Sequence, residues 1–367
     1  MQTIAIIGAS FGQKAIYEKA HEIGMRTVGF AWPKGAICRD LADVFYPVSI
    51  TEIDQIVELC RQESVRGVVT SGSELTALVA AQIAEQLELP GNSPDVIRHI
   101  QNKSWVREQT NDIEGLKSVE FSVYSGKVPK HFPCVVKPVT GVSKLGVCFA
   151  NNAEEFSSAV SYASNVSPDI QVEELLVGRE ISVESISYGG KHCVVQITDK
   201  VTTGAPHFVE LAHHQPTSLP IEVKNRIRDI VPKILDRVGY QSGASHIEMK
   251  VDDAGRIGLI EINPRGGGDE IANTLVGLST NCDYVRLMIE SALGMLTTVA
   301  VEDVACAGIY FICAQTSRLL PIYKDAERQS WFVKKEELCP LTDLKTATGN
   351  IDRNAYFIYC ASSRISF

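Results

Sequence analysis

The residues best suited to chemistry lie in one stretch, 246–270, HIEMKVDDAGRIGLIEINPRGGGDE. Two runs rich in β-branched and apolar residues, HIEMKV and RIGLIEIN, flank the turn-prone DDAG, which predicts a β-hairpin. Alternation along a strand puts Glu261 and Asn263 on one face and Ile260 and Ile262 on the other. With Val251 opposite Arg256, Glu248 faces Leu259 and meets Glu261 as a diagonal neighbour roughly 7–8 Å away. A one-residue slip in that register would break the shared face. Two carboxylates and an amide oxygen form a hard-oxygen set suited to Mg²⁺, which takes one or two protein carboxylates and completes its shell with water and phosphate oxygens. Arg265 follows at once, placed to meet the same phosphates, and Gly266, Gly267 and Gly268 let backbone approach closely. The plain alternative is a half-buried strand with a solvated polar face. It accounts well for Glu261 alone and poorly for the whole constellation.

The elements that would position these groups come earlier in the chain. Thr3–Ile7, the turn GASFG, a helical pattern through Ile16, Ala20 and Ile23, and a strand at 27–32 make a β-α-β start. GASFG lacks the full GxGxxG spacing, so a tight strand-to-helix turn explains it better than a dinucleotide does. Alternation continues through 44–48, 53–62 and 67–70 to a helix opened by Ser71-Gly72-Ser73-Glu74, which predicts an open, mostly parallel sheet with ligands at its carboxyl edge. Ser71 and Ser73 stand at that edge beside a helix N-terminus that favours an anion; a simple N-cap is the alternative. Residues 89–110 read as a turn and two short helices. Lys103 and Arg107 share a face there, a like-charge spacing that is mildly unfavourable unless an anion is near.

In 131–150 an apolar strand ends at Lys137-Pro138, and the loop TGVSKLG leads to another strand. Gly141, Ser143, Lys144 and Gly146 can lay N–H groups over phosphates, with Lys137 facing an anionic pocket. An ordinary hairpin with a snorkelling lysine is the alternative. Glu173, Glu174 and Glu180 surround a short linker, whose backbone at 174–176 can offer a nucleotide base one donor and one acceptor, while Glu180 can offer a ribose its carboxylate. Residues 201–220 read as a loop carrying Glu210, His213 and His214, without a third soft ligand for zinc. Helices at 222–238 and 283–293 follow, and from about Val301 the chain reads as a small β-rich tail without a chemical motif.

A chain of 367 residues has room for two or three domains with sizeable cores. The net charge of −9 argues against a nucleic-acid groove, which needs clustered Lys and Arg. Ten cysteines are scattered without a CxxC pair, as expected of reduced thiols in a cytoplasm. Neither a signal peptide nor a membrane span is expected.

The order of these pieces, over roughly residues 1–295, resembles the carboxylate–amine ligases of the ATP-grasp superfamily. The resemblance implies an α/β and α+β architecture: an N-terminal Rossmann-like parallel-sheet domain (1–110), an ATP-grasp small lobe with a glycine-rich lid (111–200), a large lobe with the Mg/ATP site (201–300), and the β-rich tail (301–367). It implies ATP and Mg²⁺ as cofactors, with Mn²⁺ as an alternative. By the same resemblance Lys103 and Lys137 bind phosphate, and Ser143, Lys144 and Gly146 belong to the lid. Glu173 and the backbone of Glu174 and Leu176 meet the base, Glu180 the ribose, and Glu248, Glu261 and Asn263 the metal. Arg265 steadies an acyl phosphate. PHFVELAHHQP followed by EINPRGGGDE resembles the L-amino-acid ligases that make dipeptides, which sets His213 and Arg265 on the substrate side with Ser71, Ser73, Glu74 and Gly267. The split between His213 and His214 stays open. The implied partners are a small-molecule carboxylate and an amine, in a homodimer. The rivals are a bicarbonate-activating carboxylase, a catalytically silent nucleotide-binding module and, resting on GASFG alone, a nicotinamide-dependent dehydrogenase.

Overall fold

The computed structural model describes residues 1–141, 145–205 and 207–367. The chain begins with strands β1 (Thr3–Ile7), β2 (Arg26–Phe30), β3 (Val44–Tyr46) and β4 (Val65–Val69), alternating with helices α1 (Lys14–Glu22), α2 (Ile53–Gln62) and α3 (Glu74–Gln86). The strands form a parallel sheet in the order β3-β2-β1-β4. Both faces of such a sheet are covered, which explains the unbroken apolar run of β1. Ala5 and Ile7 pack toward Ile56, Val79 and Ile83, while Ile4 and Ile6 pack toward Ile16 and Tyr17. The turn after β4 leaves Ser73 as the N-cap of α3, accepting from the Thr76 N–H. Helices α4 (Pro94–Gln101) and α5 (Lys103–Thr110) follow, hinged at Asn102, whose side chain caps α5.

Strands β5 (Phe121–Val123), β6 (Cys134–Pro138), β7 (Cys148–Ala150) and β8 (Ile170–Glu174) make a small antiparallel sheet, β5-β8-β6-β7, backed by α6 (Ala153–Ser164). The largest sheet collects β9 (Arg179–Tyr188), β10 (Lys191–Thr202), β11 (Glu210–Gln215), β12 (Gly243–Val251), β13 (Ile257–Asn263), β14 (Cys306–Ile312), β15 (Phe332–Glu337) and β16 (Ala355–Ala361), in the antiparallel order β13-β12-β9-β10-β11-β14-β16-β15. The β-rich stretch after residue 301 thus continues this sheet through β14, β16 and β15.

Helix α7 (Ile221–Arg237) covers one face of the large sheet, where Ile181, Val183, Ile197, Ile247 and Met249 meet Ile227, Ile230 and Ile234. Alternation then turns Ser182, Glu184, Lys200, His246 and Glu248 to the other face. Helices α8 (Val276–Ser279) and α9 (Tyr284–Ala292) follow the hairpin, and Val285, Met288 and Ile289 of α9 pack into the core shared with α1.

The loop expected over 201–220 is corrected here. Glu210–Gln215 is a strand between β10 and β14, with Glu210, His213, His214 and Gln215 buried. Polar partners meet it on both faces, so no apolar alternation marks it in the sequence.

Candidate active site

The hairpin β12–β13 forms as its composition dictates, but in a different register from the expected one. Val251 pairs with Ile257, not Arg256, and a bulge between Glu248 and Met249 takes Ile260 out of the ladder. Glu248 therefore stands directly opposite Glu261, and His246 opposite Asn263. The extra residue of a bulge re-aims a strand locally; here it turns an expected diagonal contact into a face-to-face one. Opposed residues on one face have Cβ atoms about 4.5–5.5 Å apart. The Asn263 amide donates to Glu261 at 3.2 Å.

Two carboxylates this close repel unless cations stand by. Lys200, on β10, hydrogen-bonds Glu248 and lies 3.2 Å from Glu210 and 3.6 Å from Glu180. Burial opposes its charge, but the three carboxylates outweigh that and push its pKa well above the ordinary lysine value. His246 bridges Glu184 and, at 3.3 Å, Glu248. Burial alone would lower its pKa; Glu184 and Glu248 reverse the direction and raise it to about 9. Glu184 in turn accepts the Gly267 N–H at 2.9 Å, tying the glycine turn to β9. A Cβ at Gly267 would sit 2.7 Å from both Glu184 and His246, so the close approach requires glycine.

The second charge network lies beneath the small sheet. Lys137 ends β6 and meets Glu173 of β8 at 2.5 Å, and Arg107 of α5 reaches the other oxygen of Glu173 at 3.0 Å. All three side chains are buried. Burial pushes the Glu173 carboxyl up, but Lys137 and Arg107 together bring it down to about 2. Burial lowers the Lys137 ammonium more than Glu173 restores it, with Arg107 and Lys103 adding to the depression. Glu173 stays ionised through this competition because the Arg107 guanidinium does not deprotonate. Arg107 also donates to the carbonyls of Leu259 and Ile260, fastening α5 to the bulge of the hairpin. Lys103, one turn earlier, donates to the Gly141 carbonyl at 3.1 Å and lies 3.9 Å from Glu261.

Glu174 leans away from this network, paired with Lys117 and the Glu120 N–H. Leu176 is buried against Gly258, and Glu180 sits beside Lys200. Gly146 adopts φ +75°, with Pro138 where a Cβ would stand. Ser143 and Lys144 lie outside the described residues.

Arg265 donates to Glu74 at 2.9 Å and to the Gly266 carbonyl at 3.1 Å, and its buried Nε has no partner among the described residues. Through Glu74 it joins the large sheet to the 71–74 turn, where Ser71 is buried and its carbonyl accepts from Gln13. The two histidines separate cleanly. His213 pairs across the ladder with Lys200, on the face of Glu248, and its Nε2 lies 3.5 Å from Asp269. Burial lowers its pKa, against the pull of Asp269. His214 points to the opposite face, hydrogen-bonded to Tyr359 and against Tyr310, and burial takes its pKa down to about 3.

None of Arg107, Lys200, Glu184, His246, Asp269 and Arg353 is a site candidate in the sequence analysis. Lys200 left a signal, a lone cation at the end of the apolar run CVVQITDK. Arg107 left another in its spacing from Lys103. Glu184 and His246 become partners only through the β9–β12 register, and Arg353 meets Asp269 from 84 residues away.

Among the described residues no group of three or more His, Cys, Asp or Glu is arranged to hold a metal. Glu248, Glu261 and Asn263 instead suit a cation that needs only one or two carboxylates and takes its other ligands from water and phosphate. Among the described residues the buried Arg265 Nε–H is a donor without an acceptor, as expected beside a site for an anion.

A family model described as an ATP-grasp domain matches residues 130–273. The chain is 28% identical over 141 residues to a D-alanine--D-alanine ligase of Phocaeicola vulgatus, covering 37% of this chain and 43% of that protein. It is 24% identical over 248 residues to the carbamoyl phosphate synthase large chain of a Thermotoga species, covering 62% of this chain and 22% of that one. It is 25% identical over 249 residues to the alanine--anticapsin ligase of Bacillus subtilis, covering 59% and 52%. The chain thus spans about half or less of the length of these relatives. An L-amino acid ligase from Bacillus licheniformis superposes with a TM-score of 0.82 at 21% identity, covering 99% of this chain and 94% of that one, which shows the shared fold. Residues 130–273 are thus similar to ATP-grasp domains, and the chain shares the fold of the L-amino acid ligase structure.

Proposed function

We propose that the protein is an ATP-dependent carboxylate–amine ligase that forms an amide bond through an acyl phosphate, with an amino acid as one substrate. The observation that carries this reading is the direct opposition of Glu248 and Glu261 beside Asn263, with Lys103 and Arg265 adjacent. Mg²⁺ held there would neutralise charge developing on the transferred phosphoryl group. Lys103 and Lys137 supply positive charge for the phosphates, and Arg265, with its free buried donor, steadies the acyl phosphate. The 174–176 backbone and Leu176 take the base, and Glu180 the ribose. His213, held neutral by burial, orients the attacking amine or accepts its proton. Ser71, Ser73, Glu74 and Gly267 line the acid side. The similarity to a D-alanine--D-alanine ligase and an alanine--anticapsin ligase supports an amino-acid substrate.

ADP release measured against a matrix of carboxylic acids and amines, with mass detection of the coupled product, tests the reading. Release that needs both an acid and an amine is expected. Release driven by bicarbonate alone would select the carboxylase-type reading, which the carbamoyl phosphate synthase similarity favours. Nucleotide binding without release across the whole matrix would mark a silent nucleotide-binding module.

A further inference from the structure

Directly after the glycine turn stand two residues in left-handed backbone, Asp269 at φ +51° and Glu270 at φ +63°. Non-glycine residues rarely adopt that conformation, and two in succession persist only where their surroundings over-determine them. Strands and turns from the C-terminal end of the chain do so here. Arg353 donates Nη1 and Nη2 to the two oxygens of Asp269 at 2.7 and 2.6 Å. Its guanidinium lies 3.7 Å over the Phe311 ring, and its Nε donates to the Asn350 carbonyl at 2.8 Å. Glu270 accepts from Lys334 at 2.8 Å and Tyr356 at 3.1 Å, and from Thr274 on its other oxygen. The same Asp269 oxygen that meets Arg353 Nη1 lies 3.5 Å from His213 Nε2. The other ring nitrogen of His213, Nδ1, is buried and has no hydrogen-bond partner among the described residues.

A bidentate guanidinium–carboxylate pair that is only 6% exposed on the arginine side fixes direction as well as distance. We propose that Arg353 is a positioning residue: by clamping Asp269 it holds the turn after Gly268 in its left-handed course and so sets the His213 ring toward the reacting amine. The inference rests on the ligase reading above. It gives the sheet extension β14-β16-β15 a task at the site, since Phe311, Lys334 and Tyr356 come from those strands and Arg353 lies two residues before β16.

The test compares Arg353→Ala, Arg353→Lys and Asp269→Asn in the full chain. Asn tolerates left-handed backbone, so the last variant removes the ion pair while sparing the turn's conformational preference. Arg353→Ala should lower kcat for amine-dependent ADP release by about 10²-fold, the scale of a misplacement near 1 Å, and leave the affinity for ATP unchanged. Low-millimolar guanidinium should restore part of the loss, and Arg353→Lys should fall between. Combined with Asp269→Asn, the loss should not deepen, because both act through one contact. Additive losses, a parallel fall in ATP affinity, or a wild-type kcat in Arg353→Ala would overturn the proposal. Amide hydrogen exchange separates this from the ligase reading. Residues 266–270 should exchange faster in Arg353→Ala whatever the substrates, and unchanged exchange there sinks the clamp. A wild-type protein that couples no acid to any amine sinks the ligase reading instead.

Discussion

Replacing Glu173 by Gln perturbs a buried charge network next to the site. In the native protein Glu173 pairs with both Lys137 and Arg107. Gln keeps the shape and hydrogen-bonding capacity but leaves two buried cations facing each other, and breaking a buried pair in this way costs about 3–5 kcal/mol. The titration of Glu173 gives a separate measure. Its pKa stands at about 2 in the folded protein against the ordinary 4.5. A depressed carboxyl contributes stability that is complete above pH 4.5 and is lost as pH falls toward 2. At ~1.4 kcal/mol per pH unit, that gap corresponds to roughly 3 kcal/mol, in line with the pair-breaking figure. Gln carries no such titration, so the wild-type advantage over Glu173→Gln should be full at neutral pH and shrink through this window. Urea unfolding followed by circular dichroism, in steps from neutral pH to about pH 3, measures it. An advantage below ~1 kcal/mol at neutral pH, or one that stays constant as the carboxyl protonates, would refute the account of Glu173 as the anchor of Lys137 and Arg107.

Other perturbations separate the parts of the proposed chemistry. Glu261→Gln removes one of the two opposed carboxylates and is expected to lower ADP release by about 10²–10³-fold, with more Mg²⁺ needed for half-maximal turnover; an unchanged Mg²⁺ requirement would remove Glu261 from the metal site. Gly258→Ala puts a methyl 2.6 Å from Leu176 and should push that side chain toward the base pocket. Weaker ATP binding by roughly 10-fold in a still-folded protein is expected from calorimetric titration, on the scale of a displaced apolar contact. His213→Ala should suppress amine-dependent turnover while leaving ATP affinity intact, and intact amine-dependent turnover would end its proposed role. His214→Ala should instead lower the melting temperature without a selective effect on the amine step, since that ring packs on the far face against Tyr310 and Tyr359.

What the sequence disclosed and what it hid divide along one physical line. Period and punctuation carried the parallel sheet, the α4–α5 pair and the β12–β13 hairpin, because each buries one apolar face and exposes its caps and turns in the residue string. Pairing did not carry over in the same way. The bulge that sets Glu248 opposite Glu261 depends on one unpaired residue, Ile260, whose apolar type reads the same whether it is in the ladder or out of it. Strand β11 escaped because Glu210, His214 and Gln215 find polar partners in Lys200, Tyr359 and Thr198 inside the sheet, so ELAHHQ shows no apolar stripe. Glu173 illustrates the same point: its position beside the linker is visible in the sequence, yet whether it meets a nucleotide base or a buried lysine depends on β6 and β8 lying side by side. Lys137 is opposed to Gln171 in that ladder and sits diagonally from Glu173, close enough for the ion pair. A carboxylate that accepts from both Lys137 and Arg107 is poorly placed to accept from a base as well, and the backbone of 174–176 is left as the part of the linker suited to that task. Cross-strand register therefore decides which acids of this chain hold cations of the protein and which remain for a ligand.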